Sequence, residues 1–171
     1  MNMVKSLVLG SFLIVGLNLC VSAEVPSAPP SGLNDLGVDA TVQFGSLQGA
    51  YNVDKAFLLK KGERTGQYKD FFAFHTDNKE PWFIVTLKSS ANIKTIYIQN
   101  RVDEGQERAK GLTVSVSEDQ KTWKEIWKAT DVKPEWTIDL KSPEKAQYIK
   151  FELPRSDTGF LHLNNVRIYG N

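Results

Sequence analysis

Cysteine is almost missing from this chain: Cys20 is the only one among 171 residues, and it sits at the end of an apolar N-terminal stretch. One thiol cannot build a disulfide framework, so the fold has to rest on its core. Histidine is nearly as scarce, with His75 and His162 alone and no carboxylate set at metal-ligand spacing around them, which argues against a zinc site. An excess of either charge is missing too. With 21 Lys+Arg against 20 Asp+Glu, no basic surplus exists to neutralise a phosphate backbone, and nucleic acid is excluded as a partner. Catalytic motifs are absent as well: there is no GxSxG, no HExxH, no P-loop and no catalytic cysteine. Asp157-Thr158-Gly159 has the aspartic-protease tripeptide, but Arg155-Ser156 stand where an apolar strand should precede it, and it reads as a turn. The chain is therefore not expected to be an enzyme.

Long hydrophobic runs are also lacking. The one apolar stretch, residues 7–19, is shorter than the roughly 18–20 residues a membrane-spanning helix needs, so no membrane span is expected. With Lys5 before it and Val21-Ser22-Ala23 after it, residues 1–23 read as a secretory signal peptide. An exported protein is the expectation. Cleavage after Ala23 removes Lys5 and Cys20 and leaves basic and acidic side chains in equal number, with no thiol. Lipidation of Cys20 is disfavoured, because the residue before it is Leu19 rather than a small one. Residues 24–37, with Pro26, Pro29 and Pro30, read as a flexible spacer, and residues 38–171 as one domain.

What the domain does have is period-two alternation. Leu112, Val114 and Val116 alternate with small hydroxyl residues, and Ile149, Phe151 and Leu153 oppose Tyr148, Lys150 and Glu152. Trp136, Ile138 and Leu140 repeat the pattern, and further strands are expected at 38–44, 82–87, 93–99, 123–127 and 161–169. Polar turns such as Glu118-Asp119-Gln120-Lys121 separate them, and no window shows a strong helical period. The expected fold is all-β: an antiparallel β-sandwich or barrel.

One loop has a composition that suggests recognition. Asn100-Arg101-Val102-Asp103-Glu104-Gly105-Gln106-Glu107-Arg108 follows the strand at 93–99 and so belongs at one end of a sandwich. An aspartate between two arginines can hold their planar donor forks in fixed orientation, which suits a ligand whose hydroxyls must be met at defined angles, such as a sugar. The same residues also fit a solvated loop with surface ion pairs worth ~0–1 kcal/mol each. Spacing alone leaves both readings open.

Longer landmarks decide between them. Pro81-Trp82-Phe83-Ile84-Val85-Thr86-Leu87, Ile96-Tyr97-Ile98-Gln99-Asn100-Arg101, Lys121-Thr122-Trp123 and Val166-Arg167-Ile168-Tyr169-Gly170 occur in an order and spacing that resembles the coagulation factor 5/8 type C domains. These are also called discoidin-like or galactose-binding-like domains, and the resemblance implies a jelly-roll sandwich. Within that superfamily the chain is most similar to the F-type, fucose-binding lectins, whose motif is a His followed at a distance by RxDxxxxR. Here His75 precedes Arg101, Asp103 and Arg108, one residue short of the usual gap. The resemblance implies that His75, Arg101 and Arg108 donate hydrogen bonds to a sugar and that Asp103 orients the arginines.

Two departures qualify that implication. Where those lectins place adjacent cysteines as an apolar platform, this chain has Glu104-Gly105. Where many members carry an Asp-Gly calcium loop, it has residues 56–62, and Asn165 stands for a C-terminal Glu; loss of carboxylates weakens any site for a hard cation. No cofactor is assigned, a structural calcium staying open with a degraded motif. Phe72 and Phe160 are candidates for stacking on a sugar face, although core packing suits both; His162, between Leu161 and Leu163, is expected to point away from the core and to contribute at most a rim contact. The reading is an exported module that binds glycans, fucosylated or galactose-like. Its alternative is a discoidin-like adhesion domain that docks to a protein or surface polymer.

Overall fold

The computed structural model describes residues 28–48, 58–59, 71–77, 80–153 and 159–171. The expected signal peptide, the start of the spacer, most of the degraded calcium loop and Asp157-Thr158 lie outside them. Among the described residues there are seven strands: β1 (Asn34–Asp35), β2 (Thr41–Phe44), β3 (Trp82–Asn100), β4 (Thr113–Ser117), β5 (Lys124–Lys128), β6 (Glu135–Glu152) and β7 (Leu163–Gly170). One 3-10 turn, Gln106–Ala109, sits between β3 and β4.

All the strand pairings are antiparallel, in the order β1-β7-β3-β6-β4-β5 with β2 also on β3. The two long strands each serve two layers. Residues 82–86 of β3 pair with β2 and with residues 148–152 of β6, which β4 and β5 extend. Residues 93–100 of β3 pair with β7 and with residues 135–139 of β6. Register irregularities between Thr86 and Ala91 and between Ile93 and Thr95 mark the bend from one layer to the other. The sequence pattern divides β3 and β6 into two strands apiece because this bend, at Lys88-Ser89-Ser90 and Lys141-Ser142-Pro143, is exposed and polar. The backbone nevertheless pairs across it, Ala91 with Ala146 and Asn92 with Lys145.

The layers face one another as an antiparallel β-sandwich. Phe83, Val85, Val114, Ile149 and Phe151 of one layer join Ile96, Ile98, Ile138, Val166 and Ile168 of the other in a single buried cluster. Phe83 and Phe151 stack with ring centroids 4.6 Å apart. Alternation fails on β7, where every residue is buried. Its outer face is covered: Arg167 Nη1 donates to Asp35 Oδ2 at 3.0 Å and to Leu59 O at 3.3 Å, and Leu36 N donates to Ile168 O at 2.8 Å. Residues 34–37, grouped by composition with the spacer, are thus tied to the domain by strand pairing and a buried ion pair.

The end of β3 at Asn100, the start of β6 at Glu135 and the start of β7 at Leu163 lie side by side in the ladder. The loops leaving them therefore gather at one end of the sandwich.

Candidate functional site

The loop after β3 is built on Asn100, which has no exposed surface. Its backbone N–H donates to Pro134 O at 2.8 Å, its side-chain amide donates to Gln106 O and Lys133 O, each at 3.1 Å, and its Oδ1 accepts from Arg101 N at 2.9 Å. A buried amide satisfied in this way fixes the backbone on both sides of it. Gly105 then turns the chain into the 3-10 turn with φ +91, a left-handed conformation that glycine adopts without strain. A second segment is strapped alongside. Val102 N donates to Phe71 O, Ala73 N to Leu163 O and Thr76 N to Leu161 O, while Gln48 N donates to the His75 carbonyl.

These segments enclose a cleft of about 610 Å³ lined by Phe71, Phe72, His75, Arg101, Asp103 and Arg108, with Glu104, Gly105 and Glu107 at its edge. That volume lies within the ~300–1,000 Å³ range of small-ligand sites. All four residues expected from the motif line it. Arg101 is 9% exposed and held in bidentate fashion by Asp103, with Nε on Oδ1 and Nη2 on Oδ2. Its guanidinium carbon also lies 4.8 Å from the centroid of Phe72. Arg108 is placed differently: its guanidinium is 5.8 Å from the Phe160 ring, and no carboxylate among the described residues pairs with it. Asp103 therefore fixes one arginine rather than bridging two.

His75 is packed among rings, 5.6 Å from Phe72, 5.2 Å from Phe160 and 5.2 Å from His162. Its Nδ1 lies 2.7 Å from Thr76 O. A carbonyl can only accept, so Nδ1 carries the proton and any bond made through Nε2 is an accepted one. Burial, against the Thr76 bond and helped by the charges of Arg101 and Arg108, holds the ring's pKa below its ordinary value, so it stays neutral at pH 7. The resemblance implies a donor at this position; with the proton on Nδ1 and turned to Thr76 O, the neutral ring has no second N–H to donate.

His162 departs furthest from expectation. It is 1% exposed, beneath the cleft, with Nε2 donating to Gly105 O at 3.2 Å and lying 3.5 Å from Arg101 Nη1. Burial first and the Arg101 charge second push its pKa down to about 3. Alternation with Leu161 and Leu163 predicts an outward side chain, but residue 162 precedes a strand whose two faces are both covered, so outward is still inside. Its role is to support the loop that carries Arg101. Phe72 is likewise buried against Arg101, whereas Phe71, 40% exposed, is the aromatic open to the cleft. The alternation of Phe72 and Phe74 as inward residues is a signal that could have identified Phe71 as the outward one. Of the degraded calcium loop, only Leu58 and Leu59 are described, and among the described residues no cluster of three His, Cys, Asp or Glu side chains is suited to a metal ion.

The F5/8 type C domain family model matches residues 40–165 of the chain. Comparison with curated proteins returns no match. Similar solved structures include a Streptococcus pneumoniae fucose binding module, at 20% identity and TM-score 0.65, covering 84% of this chain and 100% of that one. The f-lectin (fucolectin) from striped bass (Morone saxatilis) serum matches at 17% identity and TM-score 0.64 over 83% of this chain and 48% of that one. CpGH89CBM32-5 from Clostridium perfringens, solved in complex with GalNAc-beta-1,3-galactose, matches at 18% identity and TM-score 0.60, with coverages of 79% and 99%. At these identities the likeness establishes a shared fold.

Proposed function

Because the chain belongs to the F5/8 type C domain family, we propose that it is an exported, non-catalytic carbohydrate-binding module. Its cleft takes a terminal sugar, fucose by its motif. One observation carries the reading: His75, Arg101, Asp103 and Arg108, drawn from two separate segments, line a single cleft. A pyranose offers hydroxyls around its edge and an apolar face. Arg101, held by Asp103, offers donors at fixed angles, Arg108 offers a second set, Glu104 offers an acceptor, and Phe71 supplies an apolar surface in the same cleft. The neighbours point the same way, since a fucose binding module and a fucolectin share the fold.

The test is a titration of the protein with L-fucose, D-galactose and a glycan panel, alongside Arg101→Ala and Arg108→Ala. Saturable binding that Arg108→Ala abolishes is expected. No binding by the parent, or binding indifferent to both changes, overturns the proposal. If no glycan protects the protein while Asp103→Ala lowers its melting temperature, the loop is a brace and the adhesion-domain reading takes its place.

A further inference from the structure

Phe160 belongs to a third segment, and its ring meets residues of the other two. Leu161, fully buried, is pinned twice to Thr76: its N–H donates to Thr76 Oγ1 at 2.8 Å, and its carbonyl accepts from Thr76 N at 3.0 Å. A backbone held at that point sets the Phe160 ring 5.2 Å from the ring of His75 and 5.8 Å from the Arg108 guanidinium. Phe160 is half-buried, yet it belongs neither to the core cluster nor to the lining of the cleft. It backs Arg108 much as Phe72 backs Arg101 at 4.8 Å. His75 lies between the two rings, 5.6 Å from Phe72, so a row of three rings connects one arginine to the other.

We propose that Phe160 is a positioning residue for ligand recognition: its ring holds the Arg108 guanidinium in the orientation that meets the sugar, the part that Asp103 plays for Arg101. The proposal rests on the carbohydrate-binding reading of the cleft. The backbone of Arg108 is fixed by the 3-10 turn, where its N–H donates to Gly105 O at 3.2 Å and the next residue, Ala109, is buried. Its side chain is long and rich in rotamers, and a ligand that has to order such a side chain binds less tightly for it. An aromatic face orders it beforehand. A carboxylate engages N–H donors, as Asp103 does on Arg101 Nε and Nη2. A ring face attracts the charge and leaves those donors for hydroxyls. Arg101 is thus the braced arginine, and Arg108 the one whose donor fork is kept for the ligand.

The experiment compares the parent with Phe160→Leu, which keeps an apolar side chain but has no ring face, and with Phe160→Tyr, which restores the ring. L-fucose is titrated into each, and the Arg101 and Arg108 Nε–H signals of the free proteins are recorded by NMR. Phe160→Leu should bind L-fucose about fivefold more weakly, as expected when the ligand has to order one such side chain. It should also displace the Arg108 signal, which loses the ring's magnetic effect, and leave the Arg101 signal in place. Phe160→Tyr should return both the affinity and the Arg108 signal to the parent values. An affinity unchanged in Phe160→Leu, or lowered equally in Phe160→Tyr, overturns the proposal. So does an Arg101 signal displaced as far as that of Arg108, because a general loosening of the cleft is then the cause. If L-fucose fails to bind the parent, the reading of the cleft fails instead. The Arg108 signal then decides the contact alone: displacement by Phe160→Leu and return with Phe160→Tyr sustain the hold of Phe160 on Arg108, and an unmoved signal overturns it.

Discussion

Protonation of His162 should unlock the loop that carries Arg101, and the effect has a calculable size. The ordinary histidine value is 6.5, and burial with the nearby Arg101 charge lowers it to about 3 in the folded protein. The folded state resists the proton that the unfolded chain accepts. Its stability is therefore undiminished above the ordinary value and falls as the pH drops from there toward the folded value. Each unit within that window is worth about 1.4 kcal/mol for one group, so acidification from pH 7 to pH 5 should cost roughly 2 kcal/mol through His162 alone. His75, whose pKa is also lowered, acts in the same direction. The assay is urea unfolding at pH 7, 6 and 5 for the parent and for His162→Gln, whose amide can still donate to the Gly105 carbonyl but cannot titrate. Contributions from His75 and the carboxylates cancel in the difference. The variant should be the less stable protein at pH 7, and its disadvantage should shrink by about 2 kcal/mol at pH 5. Parallel pH profiles would refute the assignment of His162 as a buried neutral support.

Asp103→Ala and Arg108→Ala should separate bracing from recognition. The first leaves the Arg101 guanidinium, 9% exposed, without its counter-ion, at a cost of about 2–3 kcal/mol after allowing for partial exposure, read as a melting temperature lower by roughly 5–10 °C. The second should leave the melting temperature within about 1 °C, as for other surface changes, and abolish glycan binding. Gly105→Ala places a side chain at φ +91 and should cost about 1–2 kcal/mol in urea unfolding while weakening sugar binding. A chain beginning at Val38 lacks β1 and Asp35, which strands Arg167 in a site where its side chain is 6% exposed. Circular dichroism melting should show a loss of about 3 kcal/mol; equal stability would mean that β1 contributes nothing.

The layers of the fold were legible wherever one face of a strand meets the core and the other meets water. Val114 and Val116 on β4, and Ile149 and Phe151 on β6, are buried as their alternation predicts. Alternation misleads where both faces are covered, and that is how His162 passes for a rim residue. It also breaks at polar bends, so β3 and β6 read as four strands although the ladder runs through Ala91 and Ala146. At the site, the charge pattern around Arg101 and the motif linking it to His75 were visible in one dimension. The partition of labour between the arginines was not. Asp103 lies two residues from Arg101 and grips it, but whether Asp103 also reaches Arg108 depends on the turn that Gly105 starts. Asn100 could not be distinguished from any polar residue at a strand end, because its importance lies in contacts with Gln106 and Lys133 that only the folded loops bring together.

In the proposed function Arg101 and Arg108 jointly address a sugar in the cleft. Arginine side-chain NMR tests it most directly, with the Nε–H signals of both residues followed as L-fucose is added to the intact protein. Both signals should shift along one saturable curve, Arg108 the more strongly because no carboxylate among the described residues already holds it, and Arg167, buried on the far side of β7, should not move. Unchanged Arg101 and Arg108 signals at a fucose concentration that saturates binding elsewhere on the protein would contradict it.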